Sequence, residues 1–484
     1  MKKVDIRRLP TGVPGLDALL GGGIPEYSFN LLAGTPGSGK TTMAHQIMFS
    51  LASPERRALF FTVLGEPPLK MLRYQQQFPF FDAAKINQSI KFVNLASELL
   101  DGDFDRVLAR IMAEVQAFSP SLVFVDSFRS VVQSGATDGR ADGLQHFVQQ
   151  LGMQMTSWLA TTFLIGEYLA PEAESSPVFT VADGIMWLSQ QVHRDAMVRK
   201  IQVVKMRGQA QSLGVHTFRI GDSGIEIFSR AVVKAGADIS IVGEARLSTG
   251  VPALDEMMGG GLPAGYSMLV VGPSGSGKTV MATQFLAEGA RLGERGVIAA
   301  FEKSPNQLLS RQLSALVASG MVGVINTRTL DLSLDEILND LVCLIERTKA
   351  TRVVIDSLAG FELTLASVFR EDFRESLYRL VAVLTGMGVT VLMTAELEDQ
   401  YSALRFSTYG NAFLADAIVM HRYVELAGQL KRVMAVVKVR GSDHSKDIRF
   451  FDIGADQITI GATLSDYQGI LSGQPEVGKQ ATRS

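Results

Sequence analysis

The chain has 484 residues, enough for two or three domains that each bury a core, and its 46% hydrophobic and 20% charged residues are an ordinary globular balance. A net charge of −3 argues against a protein that coats nucleic acid or an anionic membrane. The single cysteine, Cys343, excludes an intramolecular disulfide framework and is expected to be a small buried residue at helical spacing.

MKKVDIRRLPTG opens the chain with basic residues but no apolar run behind them, and no apolar stretch approaches the ~20 residues of a membrane span. A soluble cytoplasmic protein is expected. The six histidines are scattered without metal-ligand spacing, so no zinc site is expected.

From Thr11 the chain reads TGVPGLDALLGGGIP, and from Thr249 it reads TGVPALDEMMGGGLP. Behind the first string come NLLAG from Asn30 and GTPGSGKT at Gly34–Thr41; behind the second come SMLVVG from Ser267 and GPSGSGKT at Gly272–Thr279. One spacing, 238 residues, separates Thr11 from Thr249 and Lys40 from Lys278. Two motifs in fixed register across two halves mark a duplicated domain. Further strands are predicted at ALFFTVL from Ala58, LVFVD from Leu122 and TTFLIGE from Thr161. The second half offers GVIAAFE from Gly296, RVVIDS from Arg352 and VTVLMTAE from Val389. Apolar strands alternating with amphipathic helical stretches indicate, in each half, a mostly parallel sheet with helices on both faces, an α/β fold. Each half ends in hairpin-like strands, Lys200–Met206 with His216–Ile220 and Arg432–Val439 with Arg449–Ile453. The expected domains are 1–235 and 236–470, parted within the Gly, Ala and Ser stretch Val232–Glu244, with a mobile polar tail at 471–484.

Glycine-rich loops of this kind bind phosphate because their backbone N–H groups converge on one concavity at a helix N-terminus. The candidate binding residues are Gly34, Thr35, Pro36, Gly37, Ser38, Gly39, Lys40, Thr41 and Thr42 in the first half. In the second they are Gly272, Pro273, Ser274, Gly275, Ser276, Gly277, Lys278, Thr279 and Val280. Lys40 and Lys278 would reach the β- and γ-phosphates of ATP, and the hydroxyls of Thr41 and Thr279 would meet Mg²⁺. Asp126 and Asp356, each ending an apolar strand, suit the same ion, since an unpaired carboxylate facing a core costs several kcal/mol.

Hydrolysis also needs a base that orients the nucleophile. Pro67 and Pro305 both lie 27 residues after their loop lysines, and in that register Glu302 faces Leu64 and Lys303 faces Gly65. The second half has a carboxylate at the base position. The first has a leucine there, with Glu66 two positions later.

With the TGVxxLD string, the phosphate loop, the strand-tip glutamate and the aspartate strand in this order, the chain resembles the RecA-like ATPases. KMRG at Lys205–Gly208 and KVRG at Lys438–Gly441 bring it nearest to the KaiC family, two-domain ATPases and autokinases of circadian-clock type. The resemblance runs from about Met1 to Gly473. It implies two tandem RecA-like domains, ATP and Mg²⁺ as ligands, a homo-hexameric ring with ATP between subunits, and a protein signalling partner. It also implies that Lys205, Arg207, Lys438 and Arg440 act in trans on the neighbouring subunit's nucleotide. A Ser/Thr autokinase activity belongs to that family, but the positions matching its acceptor pair are Ala412 and Phe413, which carry no hydroxyl.

Two other readings stand beside an ATPase of this type. A DNA-handling RecA-like protein needs basic loops after the aspartate strand and after the next strand. Here Glu167–Thr180 holds Glu167, Glu172 and Glu174 with no lysine or arginine, while Asp138 and Asp142 offset Arg140. A nucleotide-gated scaffold with little turnover is the third reading, and Leu64 makes it credible for the first half.

Overall fold

The computed structural model describes residues 6–62, 68–99, 103–129, 141–169, 176–193, 196–229, 245–301, 310–326, 332–370, 373–397, 414–426, 428–454, 457–465, 467–468 and 476–477. Two compact units, Met1–Arg230 and Ala231–Ser484, divide the chain.

Each unit is built on a nine-stranded mixed sheet. In the first unit the order across the sheet is Gly224–Phe228, His216–Gly221, Ala196–Met206, Gly184–His193, Phe29–Gly34, Thr161–Glu167, Leu122–Asp126, Ala58–Thr62 and Ile90–Asn94. The strands from Gly184–His193 to Ile90–Asn94 pair in parallel, and those from Gly184–His193 outward to Gly224–Phe228 pair antiparallel. The second unit repeats the plan. Val322–Asn326, Gly296–Ala300, Arg352–Asp356, Thr390–Glu396, Ser267–Gly272 and Ala417–Leu426 run parallel, and Gln429–Val439, Arg449–Ile453 and Ile458–Thr463 follow antiparallel.

Successive residues of a strand face opposite sides, so a sheet covered on both faces needs apolar residues throughout. Phe60, Phe124 and Phe163 therefore pack on one face, against Met43, Ala44 and Ile47 of the helix Lys40–Leu51. Their neighbours Leu59, Phe61, Val123 and Val125 pack on the other, against the helices Phe104–Phe118 and Ala141–Ser157. In the second unit Met281 and Phe285 of the helix Lys278–Arg291 cover one face. The helices Leu334–Thr348 and Phe373–Gly386 cover the other.

The shared TGVP strings are fasteners. Thr11 donates its hydroxyl to Asp17 Oδ1 at 2.6 Å, and Thr249 does the same to Asp255 at 2.7 Å. The loop helices are tied to the closing hairpins in the same way twice. Gln46 exchanges two hydrogen bonds with the Ile225 backbone, and Gln284 accepts one from the Ile458 amide at 2.9 Å.

Arg352, fully buried where its strand begins, is specific to the second unit. It donates to Glu294 at 2.6 Å and to the Ser248 and Phe285 carbonyls, with its guanidinium over the Phe285 ring. Burial of so large a cation holds only with partners of this kind.

One sequence expectation is corrected. Cys343 is exposed, with its Sγ 4.0 Å from Asn339 Oδ1. The buried stripe of its helix runs through Leu334, Ile337, Leu338, Leu341, Leu344 and Ile345, and position 343 lies about 200° round from 341. Among the described residues no helix is long and apolar enough to cross a membrane.

Candidate nucleotide-binding sites

In both units the phosphate-loop strand ends where a glycine-rich turn begins, and the helix after the turn starts at the loop lysine. The strands are Phe29–Gly34 and Ser267–Gly272, and the helices Lys40–Leu51 and Lys278–Arg291. Gly39 and Gly277 precede those helices at φ of 97° and 90°, a left-handed conformation that an L side chain rarely adopts. A Cβ there would also strike Ile220 or Ile453 at 2.7 and 2.6 Å. The positive φ is what asks for glycine at both positions, since the isoleucine side-chain ends could shift.

Lys40 Nζ donates to the Thr35 carbonyl at 2.8 Å, and Lys278 Nζ donates to Gly272 and Pro273 at 2.9 and 2.8 Å. Each ammonium is thus held over its own loop. Lys278 also lies 3.9 Å from Glu396, and burial lowers the Lys40 pKa, partly opposed by Glu167 and Asp126.

The strand order leaves a single strand between the loop and the aspartate strand, and the Thr–Asp pairs form across that interval. Thr41 donates to Asp126 at 2.7 Å and Thr279 to Asp356 at 2.9 Å. Each hydroxyl commits its proton to the carboxylate and keeps its lone pairs for a cation.

The two aspartates are not held alike. Thr394, fully buried, gives its hydroxyl to Asp356 as a second donor at 2.5 Å, whereas Ile165 occupies the matching place beside Asp126. Burial pushes the Asp126 carboxyl up to about 6, against the Thr41 hydrogen bond and the Lys40 charge, with Glu167 adding to the rise.

The loops fit an anion. Buried hydroxyls of Thr35 and Ser38 in the first, and of Ser276 in the second, have no hydrogen-bond partner among the described residues. Such donors on a concave loop with a lysine suit phosphate oxygens, and the Thr–Asp pairs suit a hard divalent cation.

The family model described as "ATPase: KaiC" matches residues 9–232 and again 247–465, covering both constellations. The chain belongs to the KaiC family of RecA-superfamily ATPases. Among curated relatives it is similar to the circadian clock oscillator protein KaiC of Thermostichus vulcanus, 29% identical over 97% of this chain and 92% of that protein. It is also similar to the circadian clock oscillator protein KaiC 1 of Synechocystis and to KaiC of Rippkaea orientalis. These are 28% and 27% identical, again over 97% of this chain and 92% of each relative.

Within this KaiC-family fold the four basic residues lie away from their own loops. Lys205 pairs with Ile185, which neighbours Leu31, and Arg207 binds Asp183 at 3.0 Å beside Phe29, the first residue of the loop strand. Five residues of strand, about 17 Å, separate that end from Gly34. Lys438 and Arg440 repeat the placement, with Arg440 on Asp416 at 3.0 Å beside Ser267. Burial, and then the neighbouring arginine, lower the pKa of Lys205 and of Lys438. Glu66 and Glu302 lie outside the described residues, as do Leu64, Gly65, Lys303, Ala412 and Phe413.

Sequence reasoning missed several residues at the sites. Glu167 and Glu396 end strands paired in register with the loop strands, opposite Gly34 and Gly272. The repeated "strand ending in Glu" of TTFLIGE and VLMTAE was the available signal. Thr394 gave no such signal, because a threonine inside a strand is ordinary until its neighbour is known.

Proposed function

We propose that this KaiC-family protein binds ATP with Mg²⁺ at both loops, hydrolyses it, and assembles as a cytoplasmic homo-hexamer whose nucleotide state governs its binding to a protein signalling partner. The observation that carries this reading is the doubled constellation of loop lysine, unpartnered loop hydroxyls and Thr–Asp pair. In this reading Lys40 and Lys278 leave their loop carbonyls for the β- and γ-phosphates of the substrate. Mg²⁺, held by Thr41 with Asp126 and by Thr279 with Asp356, would neutralise charge on those phosphates. Glu302 orients and deprotonates the attacking water in the second domain. The first domain, with Leu64 at that position, mainly stores nucleotide, unless Glu66 supplies the base.

Lys205, Arg207, Lys438 and Arg440 act on the neighbouring subunit's phosphates. Arg207 and Arg440 sit about 17 Å along the strand from their own loops, and Lys205 and Lys438 about 10 Å, which supports a role in trans, as charge stabilisation from outside the loop requires. Water is the acceptor we assign, because Ala412 and Phe413 offer no hydroxyl.

Phosphate release by the full-length chain tests the enzyme, with Lys40→Ala, Lys278→Ala and the double variant beside it. Turnover that survives in the double variant overturns the assignment. Light scattering with Mg²⁺ and a slowly hydrolysed ATP analogue tests the ring: a hexamer is expected, since interface nucleotide stabilises only the assembly, and a monomer refutes it.

A further inference from the structure

The second phosphate loop is fastened by a side chain that the first loop lacks. His421, on the strand Ala417–Leu426 next to the loop strand, is fully buried, its ring 4.8 Å from that of Phe451. Its Nδ1 lies 2.9 Å from the Ser276 carbonyl. A carbonyl can only accept, so Nδ1 carries the proton. Burial brings the His421 pKa down to about 4, so at neutral pH the ring has that one N–H, and Nε2 has no partner among the described residues. Gly272 makes room for it: a Cβ there would meet the His421 Cβ and carbonyl oxygen at 2.8 Å.

We propose that His421 is a positioning residue of the second nucleotide site, pinning the Ser276–Gly277 peptide so that its N–H faces the phosphates; the proposal rests on the nucleotide reading above. A trans peptide is planar, and its C=O and N–H point in opposite directions. Drawing the Ser276 carbonyl toward the core therefore turns the Gly277 amide outward, at the residue that immediately precedes the loop helix. An amide fixed before the anion arrives needs no reordering on binding.

The first loop is fastened elsewhere. The register sets Leu188 beside Gly34 as it sets His421 beside Gly272, and a leucine donates nothing. Two residues on, Gln190 Nε2 donates to the Pro36 carbonyl at 3.0 Å, which holds a different peptide on the outer side of the loop. Among the described residues this pinned loop peptide, Ser276–Gly277, is a feature of the second domain.

The test uses the full-length chain with the first site silenced by Lys40→Ala and a fluorescent, slowly hydrolysed ATP analogue with Mg²⁺. His421→Leu, which copies the first domain, should weaken binding about 3- to 10-fold, the worth of one net hydrogen bond. His421→Asn, which keeps an N–H near the same place, should recover most of that loss. In a Lys278→Ala background, where the first site alone binds, His421→Leu should change nothing. Nitrogen-15 NMR of the parent should show His421 protonated at Nδ1, a signature that stays readable if the leucine variant does not fold. Parent affinity in His421→Leu overturns the proposal. So does an asparagine variant that folds normally yet binds as weakly as the leucine variant, or a ring protonated at Nε2. Absence of binding in the Lys40→Ala parent overturns the nucleotide reading itself, and this proposal with it.

Discussion

Asp126→Asn should make the nucleotide-free protein more stable at neutral pH and less responsive to Mg²⁺-ATP. Burial raises the Asp126 carboxyl to about 6 in the folded chain, against about 3.9 in an unfolded one. The folded state then holds the proton more tightly, so between those values stability falls as pH rises. Two units amount to about 3 kcal/mol lost by pH 7. Asparagine removes that term but gives back part of it. Lys40 loses one of the two charges that support its ammonium, and the Thr41 hydrogen bond becomes neutral. A net gain of about 1–2 kcal/mol remains, or roughly 2–8 °C for a unit of this size. The assay is a melt of the full-length chain in EDTA at pH 4, 5, 6 and 7.5, following the transition whose ligand shift disappears in Lys40→Ala. The gap between variant and parent should be widest at pH 7.5 and narrow toward pH 4, where the folded carboxyl is protonated and the unfolded one about half so. With Mg²⁺ and a slowly hydrolysed analogue the order should reverse. Ligand at a hundred times its Kd adds about 2.7 kcal/mol to the parent, and the variant has lost the carboxylate that holds the ion. A variant that melts below the parent at pH 7.5 in EDTA, or a gap as wide at pH 4 as at pH 7.5, would refute the reasoning.

Glu302→Gln should lower second-domain turnover by about 10²–10⁴-fold, measured as phosphate release with the first loop silenced by Lys40→Ala. Equal rates with and without the carboxylate would remove Glu302 as the base. Thr394→Val, nearly isosteric, takes the second hydroxyl from Asp356 and should raise the Mg²⁺ concentration for half-maximal nucleotide binding at the second site by about 10–100-fold. An unchanged Mg²⁺ dependence there would leave the Asp356–Thr394 contact without a part in holding the ion.

The sites were legible in the sequence to the extent that they are local in it. Gly34–Thr41 and Gly272–Thr279 carry loop, lysine and hydroxyl within eight residues, so strand, turn and helix could all be read from one string. Asp126 and Asp356 were found because a carboxylate ending an apolar strand has to be satisfied by something, and Thr41 and Thr279 satisfy it. The TGVP strings were readable as a repeat but not as a Thr–Asp fastening, since their meaning lies in a contact across a turn. Thr394, His421 and Arg352 could not be read at all. Thr394 and His421 sit inside strands and depend on which strand the sheet order sets beside them. Arg352, at the start of its strand, depends on a helix and loops brought near by the fold. Cys343 was misread because helical spacing alone does not say which side of the helix faces the core.

Three differences between the two sites fall on separate segments and favour the second. Beside the aspartate, the second site has Thr394 where the first has Ile165; beside the loop, it has His421 where the first has Leu188; at the base position, Glu302 answers Leu64. These three add a donor or a base to the second site, while lysine, loop glycines and the Thr–Asp pair remain complete in both and the first loop has donors of its own in Gln190 and the Thr35 hydroxyl. Binding needs only what the two sites share, since the loop amides, the ammonium and the ion supply it. Turnover needs more, because each group must be held where charge develops before the reaction begins. The described residues keep the binding set in both domains and add Thr394 and His421 to the second, which is the observation behind the proposal that the second domain carries the turnover.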